Sequence, residues 1–353
     1  MYLKLCPGMT AEARMKKKFV FILILGLIVT LYGQEKKINE IDQSVVNQIE
    51  EWEPIHKIIH SEGRNFIIGR IEFDDSKSYQ IACLIDTGCP VSNIKRNKEI
   101  DNIIHSNIKT DGKILAQATF EGFCINNWNF NVSTSDFSQA EKKGLGNVDV
   151  YGIIGNDILM QNNFYISITK KEFAFNYKKS NYKSADEKKY DLNPYGSEQN
   201  QFIYQVIIED DFFRSQYLNP QYQIDKKSKY IIDTGSYCIF TSISDFYEQI
   251  EVHKYKYNIA QKNQNEYGIC LIPNAKIFEK EFYDLYALGG KIGHGNLKVL
   301  GNQILSAFDL YFDKCGTDIV QNIVFVPVPD EDYKKYRNQN DKSKKKLDIK
   351  DYL

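Results

Sequence analysis

Two aspartates stand in the same local setting. Asp86 closes the run Cys83-Leu84-Ile85 and is followed by Thr87 and Gly88, while Asp233 closes Tyr230-Ile231-Ile232 and is followed by Thr234 and Gly235. An acid at the end of an apolar strand, followed by a hydroxyl and a glycine, sits at the mouth of a turn. Gly88 and Gly235 let the backbone bend where a side chain would obstruct it, and Thr87 and Thr234 can donate and accept hydrogen bonds beside the acid. One such turn is ordinary. Two of them, set face to face by a duplicated fold, would bring two carboxyls within hydrogen-bonding range. Like charges so close do not both ionise easily, so the pair would share a proton and titrate as a unit. One member is then a base at the pH where its neighbour is an acid. Adding water to an amide needs that combination: one group activates the water while the other protonates the carbonyl oxygen.

The chain repeats around these aspartates. Gly155, in Gly-Ile-Ile-Gly-Asn-Asp-Ile-Leu, lies 69 positions after Asp86, and Gly301, in Val-Leu-Gly-Asn-Gln-Ile-Leu, lies 68 after Asp233. Cys124 follows the first aspartate by 38 positions and Cys270 follows the second by 37, in the related settings EGFCI and YGICL. An aromatic-rich apolar run follows each Gly-Asn-Xaa-Ile-Leu. Landmarks in one order at one spacing indicate a duplicated unit of roughly 120 to 130 residues, an ordinary domain size.

The elements that must hold the aspartates read as β. NFIIGRIEF and YQIACLI are strand-like in the first half, as are QFIYQVII, SKYIID and QNIVFVPV in the second. The run ATFEGFCINNWNFNV reads as a hairpin turning at Asn126-Asn127. NDILMQ and NQILSA each open a short helix with Asn156 and Asn302 as N-caps. The expected class is therefore all-β with short helices, in two β-barrel-like lobes related by a pseudo-twofold axis, with a cleft between them. The expected boundaries are 1–33 for a leader, 34–64 for a pre-domain segment, 65–177 for the first lobe, 178–200 for a linker, 201–330 for the second lobe and 331–353 for a polar, solvated tail.

Composition excludes several classes. With 42% hydrophobic and 13% aromatic residues the chain can bury a core, so disorder is not the reading. A formal charge of −1 gives no reason to expect nucleic acid. Lys16-Lys17-Lys18, then the apolar run from Phe19 to Gly33, then a polar boundary, describe a secretory signal whose start would be Met15. The run is shorter than the roughly 20 apolar residues of a spanning helix, so export to a periplasm or the medium is expected, with an uncleaved anchor as the alternative. Export permits disulfides among Cys83, Cys89, Cys124, Cys238, Cys270 and Cys315; buried free thiols are the other reading.

The paired Leu84-Ile85-Asp86-Thr87-Gly88 and Ile231-Ile232-Asp233-Thr234-Gly235, with Ile153-Ile154-Gly155 and Val299-Leu300-Gly301, resemble the pepsin and retropepsin aspartic peptidases. The resemblance runs from about Asn65 to Pro329 and is nearest to bacterial exported forms with two fused retropepsin-like lobes. It implies that Asp86 and Asp233 are the catalytic dyad, that Thr87 and Thr234 cross-link the lobes beneath it, and that Gly88, Gly235 and Ser236 support it. It also implies that Ile154, Gly155, Leu300 and Gly301 brace the turns. The position three after each aspartate, usually Ser, Thr or Ala in the family, is Cys89 in one half and Ser236 in the other. Flaps of the retropepsin kind would fall at Thr110-Asp111-Gly112 and near Tyr257-Asn258.

The implied activity is an aspartic endopeptidase that uses no metal or cofactor, acts as a monomer and takes a protein or peptide substrate in extended form. A non-catalytic peptide-binding protein on the same fold is the alternative. Other chemistries are weakly represented. His56 and His60 have helical spacing without the Glu of a zinc peptidase, and Gly289 to Gly295 precedes a strand instead of opening a helix. No Gly-Xaa-Ser-Xaa-Gly elbow occurs, and Cys89 has no His nearby in sequence.

Overall fold

The computed structural model describes residues 46–48, 58–73, 77–95, 101, 113–133, 137, 139–146, 148–177, 187–195, 203–209, 227–262, 265–290, 298–316 and 319–340. They are mainly β, with a few short helices, in three sheets. The first half contributes β1 (Val46–Gln48), β2 (Ile59–Ser61), β3 (Arg64–Glu72), β4 (Ser78–Ile85), β5 (Asn93–Lys95), β6 (Lys113–Phe120), β7 (Phe123–Ser133), α1 (Gln139–Leu145), β8 (Val150–Ile154) and α2 (Asn156–Leu159). Its sheet runs β1-β7-β5-β8-β4-β3-β2, with β6 joined to β3 and β7.

Next come β9 (Phe164–Ser167), β10 (Glu172–Phe175) and β11 (Lys188–Asp191). The second half then builds β12 (Asn193–Tyr195), β13 (Ile203–Glu209), β14 (Lys227–Ile232), β15 (Ile239–Thr241), α3 (Ile243–His253), β16 (Lys256–Lys262), β17 (Asn265–Ile277), β18 (Lys280–Gly289), β19 (Lys298–Leu300) and α4 (Asn302–Leu305). Its sheet runs β12-β13-β14-β19-β15-β18-β17-β16. The described residues finish with β20 (Phe308–Asp313), β21 (Asn322–Pro327) and α5 (Asp330–Asn340).

The duplication is visible in the pairing. Strand β4 runs parallel to β8, as β14 runs parallel to β19. Strand β5 pairs in parallel with β7, as β15 does with β18. Parallel pairs are buried on both faces and therefore need continuous apolar runs. Ile81 to Ile85 and Val150 to Ile154 are buried throughout, which explains why neither segment alternates. The two halves meet in a five-stranded sheet, β10-β9-β20-β21-β11, where Phe164 stacks on Phe312 at 4.0 Å. One large apolar cluster draws on both halves, each fully buried aliphatic or aromatic side chain contributing about 1.5–3 kcal/mol.

Several boundaries differ from expectation. The hairpin turns at Glu121-Gly122, where Gly122 takes φ 87°, a left-handed conformation that glycine adopts without strain. Asn126 instead lies within β7 and accepts the Cys124 thiol proton. The segment expected to be a linker supplies β11 and β12, which pair with β21 and β13. The pre-domain segment supplies β1 and β2, which pair with β7 and β3. The expected polar tail begins as helix α5, which buries Tyr333, Tyr336 and Arg337; Tyr333 donates to the Gln303 carbonyl at 2.8 Å and Arg337 to the Asp284 carbonyl at 2.8 Å. Residues 341–353 and the leader lie outside the described residues. His60 sits in strand β2, with Nε2 bonded to the Ile168 carbonyl at 2.8 Å, and His56 lies outside the described residues.

Candidate active site

Each aspartate begins a turn that its neighbouring parallel strand holds from the side. The Asp86 amide donates to the Ile154 carbonyl at 3.1 Å, and the Asp233 amide to the Leu300 carbonyl at 3.0 Å. The turns close through Cys89 N–H to Asp86 C=O at 3.2 Å and Ser236 N–H to Asp233 C=O at 3.3 Å. Beyond the strands, Gly155 and Gly301 share one conformation, φ −100°, ψ −172° and φ −101°, ψ −172°. These are extended angles open to any residue; what requires glycine is proximity. A Cβ on Gly155 would lie 2.8 Å from the Cys89 carbonyl oxygen, and one on Gly301 would lie 2.4 Å from that of Cys238.

Gly155 and Gly301, not the asparagines that follow them, occupy the N-cap positions of α2 and α4, and neither helix has a side-chain cap. The asparagine side chains have another task. Asn156 Nδ2 donates to the Thr87 carbonyl at 2.7 Å, and Asn302 Nδ2 to the Thr234 carbonyl at 3.0 Å. Each thereby fixes the Thr-Gly peptide of its own turn.

The threonines join the two turns. Thr87 Oγ1 donates to the Ile232 carbonyl at 2.6 Å and accepts from the Thr234 amide at 3.1 Å. Thr234 Oγ1 donates to the Ile85 carbonyl at 2.8 Å and accepts from the Thr87 amide at 3.2 Å. Both side chains are buried, at 1% and 0% exposure, so an unmet partner here would have no water to replace it.

Above this joint the carboxyls of Asp86 and Asp233 come within hydrogen-bonding reach of each other. Asp86 Oδ1 accepts from Gly88 N–H at 2.9 Å and Asp233 Oδ1 from Gly235 N–H at 2.8 Å. The glycines are needed for the opposite acid. A Cβ on Gly88 would stand 2.4 Å from Asp233 Cγ, and one on Gly235 would stand 2.3 Å from Asp86 Cγ.

Both aspartates keep partial exposure, as water access requires. Burial, followed by the negative charge of Asp233, pushes the Asp86 carboxyl well above the ordinary carboxylate range, against an opposing pull from Arg64. The pair can thus hold one acid and one carboxylate together. The Cys89 thiol is pushed up to about 12, first by burial and then by the charge of Asp86. It stays protonated near neutral pH and is no thiolate nucleophile.

Sequence reasoning missed a supporting layer. Arg64 Nε donates to the Gly235 carbonyl at 2.7 Å, while its Nη1 meets the Glu141 carboxylate at 2.6 Å. A residue of β3 therefore steadies the second turn, held from behind by α1. Asn65 Nδ2 donates to the Thr234 carbonyl at 3.2 Å, and Ser92 Oγ accepts from Gly155 N–H at 2.9 Å while donating to Asp157 at 2.6 Å. Only the repeated Gly-Asn of the two halves carried a signal in the sequence.

Ile154 and Leu300 are buried beside the turns. Asp111 and Gly112, the expected flap residues of the first half, lie outside the described residues, as does Thr110; Tyr257 and Asn258 lie on strand β16 and are exposed. The six cysteines after the leader are free thiols. Among the described residues no group of three or more His, Cys, Asp or Glu is placed to hold a metal ion, and no helix is long and apolar enough to cross a membrane.

No protein-family model matches the chain, and no curated protein matches it. Among solved structures it is similar to the crystal structure of aspartic proteinase from Irpex lacteus, with 12% identity and a TM-score of 0.44, over 78% of this chain and 97% of that one.

Proposed function

We propose that this chain is an aspartic endopeptidase. The observation that carries the reading is the meeting of two carboxyls, each delivered by an Asp-Thr-Gly turn and each cradled by the glycine amide of its own turn. A water between them would lose a proton to the carboxylate as its oxygen attacks the scissile carbonyl carbon. The protonated partner would hydrogen-bond the carbonyl oxygen, giving a gem-diol without a covalent enzyme intermediate. The buried threonine joint keeps the carboxyls in register, so little reorganisation is needed during the reaction.

The substrate would be an extended peptide lying between the two halves, and a single chain supplies both acids, so a monomer suffices. Export, inferred from the basic and apolar N-terminal run, belongs to the same proposal. The test is cleavage of an unfolded protein mixture between about pH 3 and pH 8, a span that brackets the carboxylate and His ranges. Wild type is compared with Asp86→Asn and Asp233→Asn, each checked for folding. Activity lost in both variants supports the dyad. A folded wild type that cuts nothing, yet binds extended peptides as the variants do, would make the protein a peptide-binding module.

A further inference from the structure

The two acids have unequal partners. Asp233 Oδ2 accepts from Ser236 Oγ at 2.6 Å, in addition to the Gly235 amide on Oδ1. The equivalent position beside Asp86 is Cys89, and its Sγ turns away, donating to the Val91 carbonyl at 3.2 Å and receiving Asn93 Nδ2 at 3.8 Å. Among the described residues Asp86 therefore has one donor, the Gly88 amide, where Asp233 has two. Hydrogen bonds from neutral donors favour the charged form of a carboxyl. Resting on the aspartic peptidase reading, we infer that the dyad is polarised by this Cys/Ser difference: the shared proton resides on Asp86 and the negative charge on Asp233.

The surrounding charges do not cancel the difference. Arg64 of β3 faces Asp86 and pulls toward its ionised form, but it is engaged with Glu141 of α1; Lys95 of β5 and Asp157 of α2, of opposite sign, both face Cys89. Burial and the charge of Asp233 outweigh Arg64, and the Asp86 acid is held well above its ordinary range.

The polarity sets the direction of each proton. In the first step Asp233 takes a proton from water, the water oxygen bonds to the carbonyl carbon, and Asp86 gives its proton to the carbonyl oxygen. The gem-diol then faces a protonated Asp233 and an ionised Asp86. In the second step Asp233 donates to the amide nitrogen as the carbon–nitrogen bond breaks, and Asp86 removes a proton from a gem-diol hydroxyl. Both acids return to their starting states. Cys89 and Ser236 are positioning residues in this scheme, since neither touches the reacting atoms.

The experiment is a carboxyl-carbon NMR titration of the full chain labelled with 13C at aspartate, the two signals assigned from Asp86→Asn and Asp233→Asn. Proteolysis is assayed on the same samples. Between the two titration steps the Asp233 signal should be that of a carboxylate and the Asp86 signal that of an acid. Cys89→Ser adds a hydroxyl donor beside Asp86 and should lower the upper step by about one pH unit. Ser236→Ala should raise the lower step by a similar amount, about one unit. In an active enzyme the alkaline and acid limbs of the kcat/KM profile move with these steps. An intermediate state with the charge on Asp86, or an upper step that Cys89→Ser leaves in place, overturns the polarity. The polarity stands without the peptidase reading if the titration behaves as described in a protein that cuts nothing. It falls alone if the protein cuts with the charge on Asp86.

Discussion

The two aspartate turns share a backbone and differ in what surrounds it. Beneath the acids, the brace to the neighbouring strand measures 3.1 and 3.0 Å, the turn closure 3.2 and 3.3 Å, and the bond from the helix start back to the turn 2.9 and 2.8 Å. Outside that frame the halves diverge. The first half inserts helix α1 between β7 and β8, and its Glu141 secures Arg64, which reaches the second turn. The second half puts a hydroxyl, Ser236, where the first has a thiol, Cys89. Duplication fixes where two carboxyls meet; divergence at the margin can then make them unequal without moving the frame.

The largest effects should come where the symmetry is tightest. Gly88→Ala and Gly235→Ala each drive a methyl into the opposite carboxyl and should lower kcat/KM by at least ~10²-fold, as displacements near 1 Å do, with circular dichroism unchanged. Tolerance of alanine in one half alone would break the equivalence at the centre. Next are Thr87→Ala and Thr234→Ala, each of which strands a buried amide and a buried carbonyl. Urea unfolding should show losses of roughly 2–4 kcal/mol, similar for the two, with Thr→Ser recovering most of each. Clearly unequal losses would mean that one half carries the joint.

A smaller effect should separate the halves. Asp86 has its folded-state acidity weakened, so the native state favours its protonated form and loses that advantage as pH rises above the ordinary carboxylate range. Asp86→Asn, neutral at every pH, should raise Tm by roughly 2–4 °C at pH 7, and the gain should vanish near pH 3. Asp233→Asn weakens the acceptor of the Ser236 hydroxyl and should gain less. Equal gains would remove the distinction.

A further effect lies where strand β2 meets helix α5. His60 packs edge-on against Tyr336 at 5.2 Å, and burial lowers its pKa from 6.5 to about 4. Its neutral form contributes stability that is present above pH 6.5 and is lost as pH falls toward 4. The Tm of His60→Gln should therefore fall less across that interval than that of wild type, by several degrees.

Much of the frame was legible because it is local and repeated. The apolar runs before Asp86 and Asp233 and the Gly-Asn pairs at 155 and 301 each record a short-range requirement, and their matching intervals tie them together. What escaped was long-range or polar. Arg64 acts on Gly235 across 171 positions, and no spacing rule connects them. Strand β11, Lys-Lys-Tyr-Asp, lacks an apolar alternation and exists because β21 offers it an edge. Helix α5 is so polar that its buried Tyr333, Tyr336 and Arg337, three and four residues apart, passed for a solvated tail. The asparagines after Gly155 and Gly301 were visible, but the helix start explained them too readily as caps, when their amides serve the turns.

The five-stranded sheet also governs the order in which the chain can finish folding. Strand β9 lies between β10, made a few residues later, and β20, whose Leu310 pairs with Ile166 from 144 positions upstream. The first half can close its own eight-stranded sheet as it emerges, yet one edge of β9 and the face of Phe164 wait for nearly the whole chain. Such distant pairing slows folding and keeps a sticky edge open meanwhile. A chain severed between the halves would carry that edge permanently, on β9 in one fragment and on β20 in the other. The fragments, mixed, should find each other through it.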